Sequence, residues 1–287
     1  MRHSRRRASY CAVRARRADA HPLAALKRLF GRARSSVEVS EARGLRTLHL
    51  GGNAIQSAIR LSKPGALELA YTRAMMAFML FEPAPHDVLM VGLGGGSIAR
   101  FVHERLPDTR MTVVEVSAQV VAAARTFFGL PADDERLSVI VGDGAEHVPA
   151  VRAGCDVLLL DAFDDGRSVK SLATQSFYDA CCAALRPGGV FVVNFIADEP
   201  RFGAYLARIE RAFAGRVLCM PSEDRVNMIV LGLKRPGTRI GIEPLKRAAR
   251  ALKERLELPF DRFVRDLVAH NPGSAAFLRF GRSAGEE

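Results

Sequence analysis

The sequence predicts an α/β fold: a seven-stranded, mostly parallel sheet preceded by a small N-terminal β region and followed by C-terminal helices. Three observations carry this expectation. From Val88 onward, short β-rich runs alternate with stretches of helical periodicity, the pattern of a parallel sheet whose crossovers cover both faces. A glycine-rich loop follows the first of those runs directly. The last two runs are separated only by Pro221-Ser222-Glu223-Asp224, too short for a crossover, so they must pair antiparallel at the sheet edge.

The first segment of the chain stands apart from this pattern. The 287 residues carry a net charge of +11, which would suggest a nucleic-acid partner if the charge lay on the folded body. It does not: residues 1–36 hold ten Arg and Lys27 against the single acid Asp19, which leaves the rest of the chain at +1. Residues 1–36 are therefore expected to be a basic, disordered and dispensable tail, and nucleic acid to be attracted only non-specifically, through it. No apolar run reaches the roughly 18 residues that a membrane helix needs, so no membrane span is expected. Cys11, Cys155, Cys181, Cys182 and Cys219 form no Cys-x-x-Cys pair and no His cluster accompanies them, which predicts neither a disulfide framework nor a metal site and fits a cytoplasmic setting.

Residues 37–66 read as the small β region. Val37-Glu38-Val39-Ser40, Leu45 to Leu50 and Ala54 to Leu61 alternate, and Arg43-Gly44 and Gly51-Gly52-Asn53 break them as hairpin turns do. A Rossmann-like domain over residues 67–235 follows. It begins with one amphipathic helix marked by Leu67, Ala70, Tyr71, Ala74, Met75, Phe78 and Met79. Strands are expected at Val88–Val91, Met111–Val116, Leu137–Val141, Val157–Leu160 and Val190–Phe195, and helices near 97–106, 118–128, 172–185 and 200–214. Arg216–Met220 and Val226–Leu231 supply the closing pair, while Leu185-Arg186-Pro187-Gly188-Gly189 reads as a structural turn. Residues 236–287 form a helical appendix whose apolar stripes (Leu245, Ala249, Leu252, Leu256, then Phe260, Phe263, Leu267) pack on the domain or on the second subunit of a homodimer.

Candidate chemistry gathers at the C-terminal ends of the strands, where open parallel sheets bind ligands. Gly92, Gly94, Gly95 and Gly96 follow the first strand and open a helix, so backbone N–H groups face a ligand that can approach closely. Glu115 ends the second strand nineteen residues after Gly96, placed to hold the two ribose hydroxyls of a nucleoside. After the third strand, Asp143 in Gly142-Asp143-Gly144 can accept from an adenine amino group, or simply make a turn. The fourth strand runs into Asp161-Ala162-Phe163-Asp164, whose carboxylates can hold a cationic amine or take its proton.

Taken together these residues resemble the spermidine synthase family, the polyamine aminopropyltransferases, built on a class I methyltransferase-like fold. The resemblance covers about residues 37 to 232. It implies transfer of an alkyl group from a sulfonium cofactor, S-adenosylmethionine or its decarboxylated form, to a small amine or polyamine, with Asp161 as the acid-base carboxylate, Asp164 helping to bind the amine, and Gln56 and Tyr71 lining the site. The chain departs from the family pattern at Gly95, where the family carries an Asp that grips the amino group of the decarboxylated cofactor. It departs again at Tyr71-Thr72-Arg73, in place of Tyr-His-Glu, and at Met220-Pro221-Ser222-Glu223, in place of a Tyr-Pro-Ser-Gly-like segment. Family membership thus implies aminopropyl transfer, and Gly95 points to methyl transfer from S-adenosylmethionine. A nucleotide-binding module without catalysis is a third alternative, against which the Asp161/Asp164 pair argues.

Overall fold

The computed structural model describes residues 37–51, 55–164 and 167–280, with 163, 164, 167 and 168 described by backbone only. The basic segment 1–36 lies outside the described residues. Strands β1 (Val37–Ala42), β2 (Leu45–Leu50) and β3 (Ser57–Arg60) form the expected antiparallel N-terminal sheet in that order. The hairpin between β1 and β2 turns on Arg43 and Gly44, both at positive φ (52° and 73°), the two-residue geometry that matches strand twist.

The main sheet is built from β4 (Asp87–Val91), β5 (Arg110–Glu115), β6 (Leu137–Val141), β7 (Cys155–Leu160), β10 (Leu185–Ile196), β11 (Val217–Pro221) and β12 (Asn227–Leu233). Two-residue strands β8 (Phe163–Asp164) and β9 (Arg167–Ser168) pair with each other after β7. The order is β11-β12-β10-β7-β4-β5-β6, with β12 antiparallel to both its neighbours and all other pairings parallel. The sheet is the seven-stranded, mostly parallel one that the sequence predicts, and β12 threads between β10 and the edge strand β11.

Strict alternation along the strands divides the core into two layers. Val88, Met90, Val113, Val157, Leu159 and Val192 face one side, where they meet α2 (Ser97–Arg105) and α3 (Ala118–Phe127). Leu89, Val91, Val114, Leu158, Leu160 and Val193 face the other, under α4 (Gly144–Ala150), α5 (Gln175–Ala184) and α6 (Phe202–Ala212). The C-terminal helices α7 (Ile242–Leu256) and α8 (Phe260–His270) join the first layer: Leu245, Leu252, Phe260 and Phe263 share its cluster. The strand pair β13 (Arg239–Gly241) and β14 (Phe277–Arg279) joins the two ends of the appendix to each other.

Three local expectations change. The single helix expected from Leu67 to Met79 is a short α1 (Ala70–Met75) that tightens into a 3-10 segment, Met76–Leu80. Residues 76–80 are buried on all sides, so no solvent face marks a period in the sequence. Gly142-Asp143-Gly144 is more than a turn, because it opens α4, an unexpected helix whose short length and internal Pro149 hide it. The turn read at 185–189 is part of β10: Leu185 pairs with Cys155, and a register shift carries the strand to Val190 opposite Val157. Among the described residues no helix is long and apolar enough to cross a membrane.

Candidate active site

The glycine loop between β4 and α2 has a conformation that only glycine adopts without strain. Gly92, Gly94 and Gly96 have φ of 91°, 54° and 74°. A Cβ at Gly92 would collide with the Asp161 carbonyl, so the loop and the end of β7 touch backbone to backbone. Gly96 is the left-handed residue from which α2 starts. Gly144 has no room for a side chain either, because a Cβ there would overlap Val91 at the end of β4.

Glu115 is 8% exposed and ends β5 against this loop. Its carboxylate accepts from the backbone N–H of Leu93 (2.9 Å) in the glycine loop and of Ser117 (2.9 Å). Burial raises its pKa, and the backbone hydrogen bonds from Leu93, Ser117 and Val116 oppose the rise. One lone pair on each oxygen thus fixes the carboxylate, which leaves further acceptor capacity for hydroxyl donors. Asp143 is exposed, and its Oδ1 accepts from the Ala145 N–H (2.8 Å) as the N-cap of α4. The cap accounts for an aspartate at this position without any ligand.

Asp161 follows β7 directly, and its N–H continues the ladder by donating to Val91 O (2.9 Å). Its carboxylate accepts from Asn194 Nδ2 (3.0 Å) on β10. The Tyr71 hydroxyl on α1 donates to the Gln56 carbonyl (3.1 Å) and stands near enough to the carboxyl for each group to shift the other's titration. One hydroxyl hydrogen serves one acceptor at a time, so the Tyr71 oxygen remains an acceptor for a protonated Asp161. Burial pushes the Asp161 pKa up to about 6, the bond from Asn194 and the nearby Tyr71 hydroxyl hold it down, and the Glu115 charge adds to the rise. Burial, and then the Asp161 charge and hydrogen bond, raise Tyr71 well above the ordinary phenol value. Gln56 immediately precedes β3, its carbonyl close to Gly94, so the N-terminal sheet, α1 and the glycine loop converge near Asp161.

The side chain of Asp164 lies outside what the structure describes; its backbone pairs with Arg167 in the β8–β9 turn. Gly95 has no open space beside it. A Cβ there would come within 2.6 Å of Ser57 Oγ, 2.9 Å of Ser57 Cβ and 3.0 Å of Phe128 Cδ1. Ser57 itself is buried, in hydrogen-bond contact with Ser97 Oγ (3.2 Å). The space vacated by a carboxylate is therefore filled from β3. The two other departures meet each other: Arg73 Nε donates to Glu223 Oε1 at 2.6 Å, which ties α1 to the turn between β11 and β12.

Sequence reasoning missed Asn194 and Asn227. Both are buried, and Asn227 Nδ2 donates to Asn194 Oδ1 (2.9 Å), so a row of amides leads from β12 through β10 to Asp161. The available signal was an amide inside the otherwise apolar strand Val190–Phe195, where a polar group needs a partner.

Comparison with known proteins accords with this geometry. A family model described as the spermine/spermidine synthase domain matches residues 68–207. A polyamine aminopropyltransferase of Chromobacterium violaceum is 38% identical over 258 residues, which is 90% of this chain and 99% of that one. The chain belongs to the spermine/spermidine synthase family. Among solved structures, human methyltransferase-like protein 13 in complex with SAH is similar with a TM-score of 0.60 at 27% identity, covering 67% of this chain and 94% of that one. A probable spermidine synthase from Corynebacterium glutamicum shares the fold, with a TM-score of 0.65 at 23% identity over 84% of this chain and 95% of that one. The protein is a spermidine synthase-like transferase on a methyltransferase-like sheet.

Proposed function

We propose that this enzyme transfers an aminopropyl group from decarboxylated S-adenosylmethionine to a small amine or polyamine, with Asp161 as the general base. The observation that supports the reading most is the placement of Asp161: a largely desolvated carboxyl beside the glycine loop, with a raised pKa and no cation paired to it among the described residues. The loop suits a nucleoside donor because Gly92, Gly94 and Gly96 turn the backbone at positive φ into the start of α2, where first-turn N–H groups can meet a ligand. Glu115 would hold the ribose hydroxyls, Asp143 the adenine amino group, and Gly92, Gly94, Gly95, Gly96 and Gly144 the remainder of the nucleoside. When bound, such a donor supplies a carbon made electrophilic by an adjacent sulfonium.

The chain's own residues then act on the acceptor. An ammonium group has no free lone pair, so it must lose a proton before it can form a bond to carbon. Asp161, Glu115 and the neighbouring acidic loop carrying Asp164 keep the site negative and draw the cation in, while Gln56 and Tyr71 line it. Asp161 takes the proton, and its pKa near 6 leaves it ionised at pH 7 yet basic enough to receive it. The Tyr71 oxygen can accept from the protonated carboxyl and so holds the proton away from the product amine. Cys155, Cys181, Cys182 and Cys219 are free thiols, and the compartment we propose is the reducing cytoplasm.

Methyl transfer from S-adenosylmethionine is favoured by one specific observation, the neutral Gly95–Ser57 contact where the family places an acid. No like charge stands there to repel a donor carboxylate. Calorimetry with the two donors separates the readings: tighter binding of the decarboxylated form is expected, and preference for S-adenosylmethionine with an N-methylated product would replace the proposal.

A further inference from the structure

The amide row behind Asp161 has a consequence beyond packing. We propose that Asn227 is a positioning residue for the base: acting through Asn194, it fixes which end of that amide faces Asp161 and so sets the carboxylate's affinity for a proton. This rests on the reading of Asp161 as the base.

β12, β10 and β7 are consecutive in the sheet, with Asn227 opposite Ile196 and Asn194 opposite Ile229. Both amides are buried, 3% exposed at Asn194 and 8% at Asn227. A carboxamide has a donor end and an acceptor end, and turning it over exchanges them without changing its shape. At Asn194 both ends are engaged: Oδ1 accepts from Asn227 Nδ2 (2.9 Å) and Nδ2 donates to Asp161 Oδ1 (3.0 Å). Turned over, Asn194 would set its NH2 against the NH2 of Asn227 and its oxygen against Asp161, where only a protonated carboxyl could donate. While Asn227 keeps its Nδ2 toward Asn194 that state sets donor against donor, so the ionised base is favoured.

Asn227 is in turn held from behind. These bonds place its main chain: the backbone N–H donates to Ser222 Oγ (3.0 Å), the backbone carbonyl accepts from Ser222 N–H (2.8 Å), and Ser222 Oγ donates to Asp224 Oδ1 (2.6 Å). The same turn is fastened by the Arg73–Glu223 pair and by Arg262 Nη2 donating to the Glu223 carbonyl (2.8 Å). The other groups that face Asp161 are the Tyr71 hydroxyl from α1 and the Glu115 carboxylate from β5. Neither touches the amide row, so the orientation of Asn194 rests on Asn227.

The test reads the Asp161 titration in the full-length protein without donor or acceptor. Aspartate carboxyl carbons are labelled with 13C, and the Asp161 signal is assigned as the one lost in Asp161→Asn. Asn194→Ala, which removes the bond, should move its midpoint up by about one pH unit, and Asn227→Ala by about 0.5–1 unit. In the double variant Asn227→Ala should add nothing, because its effect passes through Asn194. Should Asn227→Ala fail to fold, the isosteric Asn227→Asp serves, since its carboxylate would recruit the Asn194 NH2 and raise the midpoint further. An unmoved midpoint in these Asn227 variants, or additive shifts in the double variant, overturns the proposal. Failure of the base assignment shows separately, as unchanged turnover in Asp161→Asn.

Discussion

Strand β7 carries an aspartate at each end, and the two are treated in opposite ways. Asp156, at the start, accepts from Arg186 (2.9 Å) and from the backbone N–H groups of His86 and Asp87 (2.9 Å each). Arg186 also bridges to Asp87 (2.8 Å), which Arg110 holds from the other side (2.9 Å). Burial pushes Asp156 up, yet the Arg186 hydrogen bond, the two backbone donors and the Arg186 charge outweigh it and hold its pKa below the usual value. Asp161, just past the other end, has two neutral partners and a like-charged neighbour, and its pKa rises to about 6. Five residues apart, one carboxylate fastens strands together and the other is kept ready to take a proton. Full pairing makes a structural acid; desolvation without a cation makes a base.

Substitutions at the two ends sharpen this contrast. Asp161→Asn should lower turnover by roughly 10²–10⁴ while donor affinity, measured calorimetrically, changes little. At the adjacent strand end, Glu115→Ala should weaken donor binding by about 1.5–3 kcal/mol, one to two decades in Kd, through lost charge-assisted bonds. Unchanged affinity in a folded Glu115→Ala protein would remove Glu115 from the donor site.

Stability should respond with opposite signs. A raised carboxylate pKa means that the folded state keeps a proton the unfolded chain releases between about pH 4 and 6. Asp161 therefore opposes folding above pH 6, and the penalty vanishes below pH 4. Asp161→Asn should accordingly stabilise the protein at pH 8 by about 1–3 kcal/mol, seen as a Tm higher by several degrees. Asp156 has a lowered pKa, so its contribution is present above about pH 4 and lost below it. Asp156→Asn should cost about 1–2 kcal/mol at pH 7 and leave kcat and KM unchanged. A Tm that falls in Asp161→Asn and rises in Asp156→Asn would break the comparison.

The smallest expected change concerns donor choice. Gly95→Asp alone must displace Ser57, so it should lower Tm before it informs on specificity. Combined with Ser57→Gly it loses its two tightest contacts and has only Phe128 Cδ1, at 3.0 Å, to push aside, and the ratio of affinities for decarboxylated over ordinary S-adenosylmethionine should rise by about tenfold. An unaltered ratio in the folded double variant would show that position 95 does not select the donor.

What the sequence made legible follows from locality. The glycine loop, Glu115 and Asp161 were visible because each sits at the end of a strand whose apolar run announces it, and the position of a strand end needs no knowledge of neighbours. The strand count, the parallel pairing and the closing antiparallel pair were visible through crossover length and the four-residue turn at 221–224, whereas the order of the strands emerges only in the structure. Asn194, Asn227 and Ser57 were not assigned, because each acquires its role from a partner across the sheet or from the N-terminal β region, at separations of 33 to 40 residues. Asp143 shows the converse: a conspicuous acidic turn whose visible contact is a local helix cap. The division of 67–79 into α1 and a 3-10 segment was hidden by burial on every side.

The dependence of kcat/KM on pH tests the central claim most directly, that the carboxyl at the end of β7 is a desolvated base. With decarboxylated S-adenosylmethionine and the best amine acceptor, the wild-type protein should gain activity through an acid limb centred near pH 6, and that limb should be absent from the residual activity of Asp161→Asn. A limb centred near pH 4, or one near pH 6 that persists in Asp161→Asn, would contradict the assignment.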